Sequence, residues 1–246
     1  AIVVNQPIST FYSYKFMGLN PQNGVPMFDD WEDRWWLLEG KELGEIIPLV
    51  LEDSGTREPK FTGNLNSTFT YKNWSLGLNF AYSLGSKVRL YGPIVNGVSS
   101  ASNVRKEFLD RWQVPGDEKK TIYPALISPS SPDYSRYSVH YSDGTRASGG
   151  QIRKFANHIW QMYDDSNVRV VSGNYVKLQS LSLRYRMPNS VLQKTPFTQL
   201  DISFSTTNCF TISAKELKGQ DPTQAGFADA GLSVRPTYTI GLNVSF

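Results

Sequence analysis

From Val234 to Phe246 apolar and polar residues alternate without a break. One parity reads Val234, Pro236, Tyr238, Ile240, Leu242, Val244 and Phe246; the other reads Arg235, Thr237, Thr239, Gly241, Asn243 and Ser245. A period of two puts the first set on one face of a strand and the second on the other. The run is about twice as long as the five or six residues usual for a strand in a soluble sandwich. No charge interrupts its apolar face, and a strand of this length can cross a bilayer when tilted. The pattern predicts a lipid-facing strand of an outer-membrane barrel.

The same period recurs upstream. In 61–71, Phe61, Gly63, Leu65, Ser67, Phe69 and Tyr71 share one face, and Thr62, Asn64, Asn66, Thr68 and Thr70 the other. In 74–84, Trp74, Leu76, Leu78, Phe80, Tyr82 and Leu84 alternate with Ser75, Gly77, Asn79, Ala81 and Ser83. Lys72-Asn73 between them predicts a two-residue hairpin turn, with Asn73 suited to the positive φ such turns need. The polar face carries small neutral groups, as the packed lumen of a barrel would, and Tyr71 and Trp74 stand where an interfacial aromatic girdle would lie. Further strands are predicted at Tyr175–Met187, stopped by Pro188, and at Leu200–Thr207. A weaker one is predicted at Thr10–Met17, where Tyr12, Tyr14 and Phe16 share a parity.

Connections between these strands alternate in length. The long ones run from Gly18 to Lys60, Gly92 to Val171 and Ser213 to Ser233; the short ones are Lys72-Asn73 and Asn189–Gln199. Short turns at one end and long loops at the other is the outer-membrane arrangement, with the short end periplasmic. Val104, Phe108, Leu109 and Trp112 recur at helical spacing, as do Ile152, Phe155, Ala156, Ile159 and Tyr163, so short amphipathic helices are expected within the loops. Pro124, Pro129 and Pro132 break regular structure between them. The fold class expected is all-β: antiparallel strands forming the C-terminal part of a transmembrane β-barrel, with long extracellular loops carrying short helices.

Composition narrows the function classes. The chain has 246 residues, 13% of them aromatic, a mean hydropathy of −0.37 and a net charge of +3, too slight and too scattered to argue for nucleic acid. Cys209 is the one cysteine and His140 and His158 the two histidines, so neither a disulfide framework nor a Cys- or His-rich metal site is expected, and no cofactor is implied. No apolar run reaches the eighteen residues of a membrane helix, which does not exclude a membrane protein, because barrel strands alternate and their average hydropathy is low. The start at Ala1, without initiator Met or signal peptide, suggests a mature product or a piece of something longer.

Several segments, taken in order, resemble the C-terminal portion of SusC/RagA-type TonB-dependent transporters of Bacteroidetes outer membranes. They are Tyr14-Lys15-Phe16-Met17-Gly18-Leu19-Asn20-Pro21 with Gly24, Pro59-Lys60-Phe61-Thr62-Gly63 and Tyr71-Lys72-Asn73-Trp74-Ser75-Leu76. Arg111-Trp112, Tyr175–Tyr185 with Pro188, Asn208–Ile212, Gly219-Gln220-Asp221-Pro222 and Arg235–Phe246 complete the set. Cys209 stands where an aliphatic residue is usual, and Leu217 where an aromatic one is. The resemblance implies that residues 1–246 are one C-terminal segment of a receptor barrel, with the plug and earlier strands outside this chain. It implies energised import of glycans or peptides, and no bond-breaking chemistry. The implied partners are the remainder of the same transporter, a SusD-like surface lipoprotein, TonB through the missing N-terminal part, and outer-membrane lipid.

Two sets of residues follow as candidates. Tyr238, Ile240, Leu242, Val244 and Phe246 would form a barrel-assembly signal, since outer-membrane proteins with such a terminus resemble one another. Trp31, Trp35 and Trp36, beside the acidic run Asp29–Asp33, would contact substrate by stacking; packing on a lid protein would use the same residues. Trp112 and Trp160 read better as packing or partner contacts, and Cys209 as a small apolar filler. The carboxylates of Asp29–Asp33 and of Asp164-Asp165 do not make a catalytic pair, because nothing in the sequence provides a dry pocket to raise one pKa. The alternative from another class is a soluble or surface-attached β-rich glycan-binding or adhesin module.

Overall fold

A computed structural model describes residues 5–29, 32–38, 41, 43–91, 106–126, 138–140, 156–224 and 234–246. Its strands are β1 (Thr10–Tyr14), β2 (Phe16–Leu19), β3 (Pro26–Phe28), β4 (Leu51–Thr56), β5 (Phe61–Tyr71), β6 (Trp74–Leu84) and β7 (Lys87–Arg89). After these come β8 (Ser138–His140), β9 (Ala156–His158), β10 (Val170–Ser172), β11 (Tyr175–Arg186), β12 (Gln199–Ser213) and β13 (Thr237–Ser245). Three short α-helices, α1 (Leu43–Val50), α2 (Ile159–Asp164) and α3 (Asn189–Leu192), accompany them. The chain divides into two compact units, one of 1–57 with 87–171 and one of 58–86 with 172–246.

The second unit is built on a five-stranded antiparallel sheet in the order β13-β12-β11-β6-β5. All five strands expected with an alternating pattern lie in it. The hairpin β5–β6 pairs from Phe61↔Leu84 to Tyr71↔Trp74, the register the sequence indicated. The positive φ of its turn falls on Lys72 (51°), not on Asn73. Asn73 is instead committed to the neighbouring strand: its Nδ2 donates to the Arg186 carbonyl at 2.7 Å, and its own carbonyl accepts from Arg186 N at 2.9 Å. At 11 residues each, β5 and β6 are about 37 Å long at ~3.4 Å per residue. Tilted by about 45°, they match the ~25 Å apolar band of an outer-membrane barrel.

Two strand ends differ from expectation. The last strand begins at Thr237, so Val234 to Pro236 lie outside it. Pro236 has no N–H to give the ladder. Its partner strand also turns away there: the pairing ends at Thr207↔Thr237, and Asn208 follows with φ 54°. Asn208-Cys209 on β12 and Gln179 on β11 form a bulge at one level, where the register jumps between Leu178↔Phe210 and Ser180↔Thr207. The bulge lets β12 run on to Ser213 with its apolar parity restored. Cys209 sits half-buried within it, Sγ 3.7 Å from the Thr206 carbonyl and hydroxyl.

The first unit holds what the sequence reads as loops. The weak strand expected at Thr10–Met17 is two strands; β1 pairs with β4 and β2 with β3, and neither joins the five-stranded sheet. β4 (LEDSGT) and α1 lie inside the long connection Gly18–Lys60, where no alternation announced a strand. Two apolar clusters fill this unit. Tyr14, Leu38, Ile46, Val50 and Met162 form one, and Val25, Phe108, Ile159 and Tyr163 the other. Phe108 lies on a 3-10 turn, Lys106–Asp110, rather than an α-helix. The second expected helix starts only at Ile159, because Ala156–His158 pairs as a strand with Ser138–His140; Val104, Ile152, Phe155, Pro129 and Pro132 lie outside the described residues.

Candidate functional site

The two faces of the five-stranded sheet differ completely in chemistry. On one, residues meet in register as apolar rows: Phe69, Leu76, Leu183, Phe204 and Ile240 form one, and Tyr71, Trp74, Tyr185, Ile202 and Leu242 the next. These side chains are unburied: Phe69 is 60% exposed, Ile240 81% and Phe246 84%. The Tyr71 row is an aromatic belt at the Lys72-Asn73 end, with the Trp74 and Tyr185 rings 4.6 Å apart. At the other end the Tyr82 ring lies over Gly63, where a Cβ would collide with it. A cross-strand aromatic fills the space that glycine leaves.

Among the residues singled out in the sequence, Tyr238, Ile240, Leu242, Val244 and Phe246 share this apolar face on and just beyond β13. Phe246 packs edge-on against Phe197 at 5.2 Å. Tyr238 stacks on Phe204 at 6.4 Å. Trp31 lies outside the described residues. Trp35 and Trp36 lie in a 3-10 segment, Glu32–Leu37; Trp36 is 56% exposed, and the Trp35 side chain is not among those described. Asp29 of the neighbouring acidic run is held by Arg34 at 2.6 Å.

The opposite face is polar throughout. Its rows are Thr68, Gly77, Ser182, Ser205 and Thr239, then Thr70, Ser75, Arg184, Ser203 and Gly241. Near the short-turn end Arg186 grips Asp201 through two hydrogen bonds, Nε at 3.1 Å and Nη2 at 3.3 Å, and Gln199 donates to the same carboxylate at 2.9 Å. With Asn73 bound to the Arg186 backbone, this set ties the β5–β6 turn, β11 and β12 together. Sequence reasoning passed over it because Asn73 and Arg186 lie 113 residues apart.

The first unit buries several polar groups, among them Ser13, Glu107, Asp164, Ser166 and Arg169. Arg169 and Glu107, each 1% exposed at the side chain, pair at 2.9 Å, and Arg169 Nη2 also donates to the Tyr91 carbonyl at 2.8 Å. The guanidinium lies 5.7 Å over the Tyr163 ring, whose hydroxyl pKa burial drives up. Arg89 donates to the carbonyls of Tyr12, Asp164 and Ser166 and to the Ser13 hydroxyl. Burial pulls its pKa below the ordinary value, with Asp165 and Asp164 opposing. Trp112, beyond the 3-10 turn, packs its ring on Gly24 (φ 68°), where a Cβ would collide with that ring.

A preorganised loop follows Trp112. Asp117 Oδ2 accepts from the amides of Gln113 and Val114, and Glu118 Oε2 from Gly116. Backbone amides hold both carboxyls below the usual carboxylate range, Asp117 through Val114 and Gln113, and Glu118 through its own amide first and that of Gly116 after it. A trough of about 500 Å³ lies beside this loop, lined by Leu109, Arg111, Lys120 and Ile122 among others. No group of three or more His, Cys, Asp or Glu side chains is placed to hold a metal ion among the described residues.

No family model matches the chain. It is 26% identical to TonB-dependent receptor P3 of Formosa agariphila over 98% of its own length and 22% of that protein's. In fold it is similar to a structure of the RagAB peptide transporter, with a TM-score of 0.60 over 96% of this chain, 23% of that one and 18% identity. Structures of the RagAB peptide importer in the open-open and closed-closed states each give 0.56 over the whole chain, again at 18% identity. The chain spans about a quarter or less of the length of each of these relatives. By name they are a receptor and transporters, and none is an enzyme. By sequence and by fold together, the chain resembles a segment of a TonB-dependent receptor of the SusC/RagA type.

Proposed function

We propose that this chain is the C-terminal part of the wall of an outer-membrane, TonB-dependent nutrient importer of the SusC type. The observation that carries the reading is the apolar face, which runs in register across all five strands of the sheet with Gly63, Ser67 and Thr206 as small uncharged members. In water such a face would aggregate; in lipid it is the required surface. Among the described residues, the outer edges of β5 and β13 have no strand partner in the sheet. In hydrocarbon each unsatisfied backbone group costs several kcal/mol, so a handful on one edge exceeds the whole stability of a typical domain. The remainder of the same polypeptide therefore completes the barrel on both sides, and supplies the plug that TonB engages. A water-soluble adhesin module would leave the face and both edges uncovered.

On this reading the short-turn end faces the periplasm and the long connections face outward, where a SusD-like lipoprotein closes over cargo. The cargo is a glycan or a peptide, and Trp31, Trp35 and Trp36 contact it. Tyr238, Ile240, Leu242, Val244 and Phe246 serve as the signal read during barrel assembly. The test uses the complete protein in outer-membrane vesicles, with a fluorophore on Ile240→Cys or Thr239→Cys in a Cys209→Ser background. Quenching by doxyl-labelled lipid is expected at 240 and not at 239. Equal quenching at both sites, or none at either, refutes a lipid-facing wall. A lipoprotein that co-purifies with the intact protein supports the lid, and loss of assembly on removing Phe246 supports the signal.

A further inference from the structure

Charge on the polar face of the sheet is concentrated on one strand. β5, β6 and β13 contribute Thr, Asn, Ser, Ala and Gly, whereas β11 contributes Lys177, Arg184 and Arg186. The one carboxylate on this face is Asp201 of β12, and Arg186 holds it in a two-point grip. Arg184 and Lys177 have no carboxylate within ion-pair distance among the described residues, and the Asp201 carboxylate, which also feels the Arg184 charge, is bonded to Arg186. Arg184 is exposed, and its cross-strand neighbours are Ser75 and Ser203, with Thr70 and Gly241 beyond them. Side chains this short leave the guanidinium standing above a low bed. Arginine keeps its charge at any working pH and presents a planar fork that matches a carboxylate at two points. On a wall of low dielectric, uncompensated charge of one sign attracts its counterpart over distance.

We propose that Arg184, with Lys177 farther along the same strand, makes the wall selective for acidic peptides. The proposal rests on the importer reading above. Lys177 and Arg184 are separated along β11 by about 20 Å at ~3.4 Å per ladder step. An extended peptide advances at the same rise as the strand, so carboxylates spaced along it can meet both cations in turn. Arg186 takes no part, because Asp201 already neutralises it.

The test is uptake by the complete transporter in cells, with three labelled probes: a peptide bearing Asp and Glu, a net-neutral peptide of equal length, and a uronate-bearing oligosaccharide. Arg184→Gln is expected to lower acidic-peptide uptake by about tenfold, the loss of one charge-assisted contact, and to leave neutral-peptide uptake unchanged. Arg184→Lys should restore part of it, and Lys177→Gln should lower acidic-peptide uptake selectively. Equal loss for both peptides would assign Arg184 to packing against another part of the protein and overturn the proposal, as would no loss at all. Loss confined to the oligosaccharide overturns the choice of cargo. A parent that imports the oligosaccharide but neither peptide sinks this proposal and leaves the importer reading standing; a parent that imports none of the probes sinks both.

Discussion

Breaking the Arg169–Glu107 pair should open the first unit. Both side chains are 1% exposed, and Arg169 has one further acceptor among the described residues, the Tyr91 carbonyl. Glu107→Ala leaves a guanidinium that cannot shed its proton without its counter-charge and out of water. Removing one partner of a buried pair costs roughly 3–5 kcal/mol, which raises the population of the locally opened form by about two to three and a half orders of magnitude, at about tenfold per 1.4 kcal/mol. Limited proteolysis of the intact protein in membranes reads that population when reclosing outruns cleavage. Cleavage within the first unit should accelerate by about that factor, with the β5–β6 hairpin still protected. Replacing both partners by apolar groups, Glu107→Leu with Arg169→Met, should recover most of the protection, because no charge is then left buried. If Glu107→Ala is cut at the parent's rate, or the double variant is as labile as the single one, the pair is not what holds this unit.

Other expectations are narrower. Ile240→Lys puts a charge on the face proposed to meet lipid and should cost about 2–4 kcal/mol near the bilayer midplane, seen as lost heat-modifiable migration; Thr239→Lys, one residue away on the polar face, should assemble normally, and equal behaviour refutes the assignment of faces. Gly24→Ala combines a positive φ with a clash against the Trp112 ring and should destabilise by about 1–3 kcal/mol, read from tryptophan fluorescence on thermal melting; an unchanged melt would mean the ring is free to move aside. The Asp117 carboxyl, held low by the Val114 and Gln113 amides, stabilises its loop fully above the ordinary carboxylate pKa and loses that effect as pH falls through the lowered value. Hydrogen exchange of Gln113 and Val114, corrected for intrinsic rates, should therefore speed up in acid in the parent, and Asp117→Asn should flatten the profile.

Legibility followed the range of the interactions. The alternation in 61–71, 74–84 and 234–246 is a local consequence of one wet face and one apolar face, so it could be read off the chain, as could the hairpin register fixed by a two-residue turn. β4 was silent because LEDSGT has no alternation, and its strand state depends on pairing with Thr10–Tyr14 across the chain. Pro236 was present in the sequence as a stop signal, yet the apolar parity running through it suggested a longer strand than forms.

That the chain makes a wall of antiparallel strands, with one apolar face and one polar face, was settled residue by residue, because side-chain period and face chemistry are local. How the charges distribute was settled by the packing of strands against one another. Pairing gave Asp201 to Arg186, left Arg184 on a bed of small residues, and buried Arg169 with Glu107. Each of those outcomes depends on which strands lie side by side, and a pairing between distant segments leaves no mark on either segment alone.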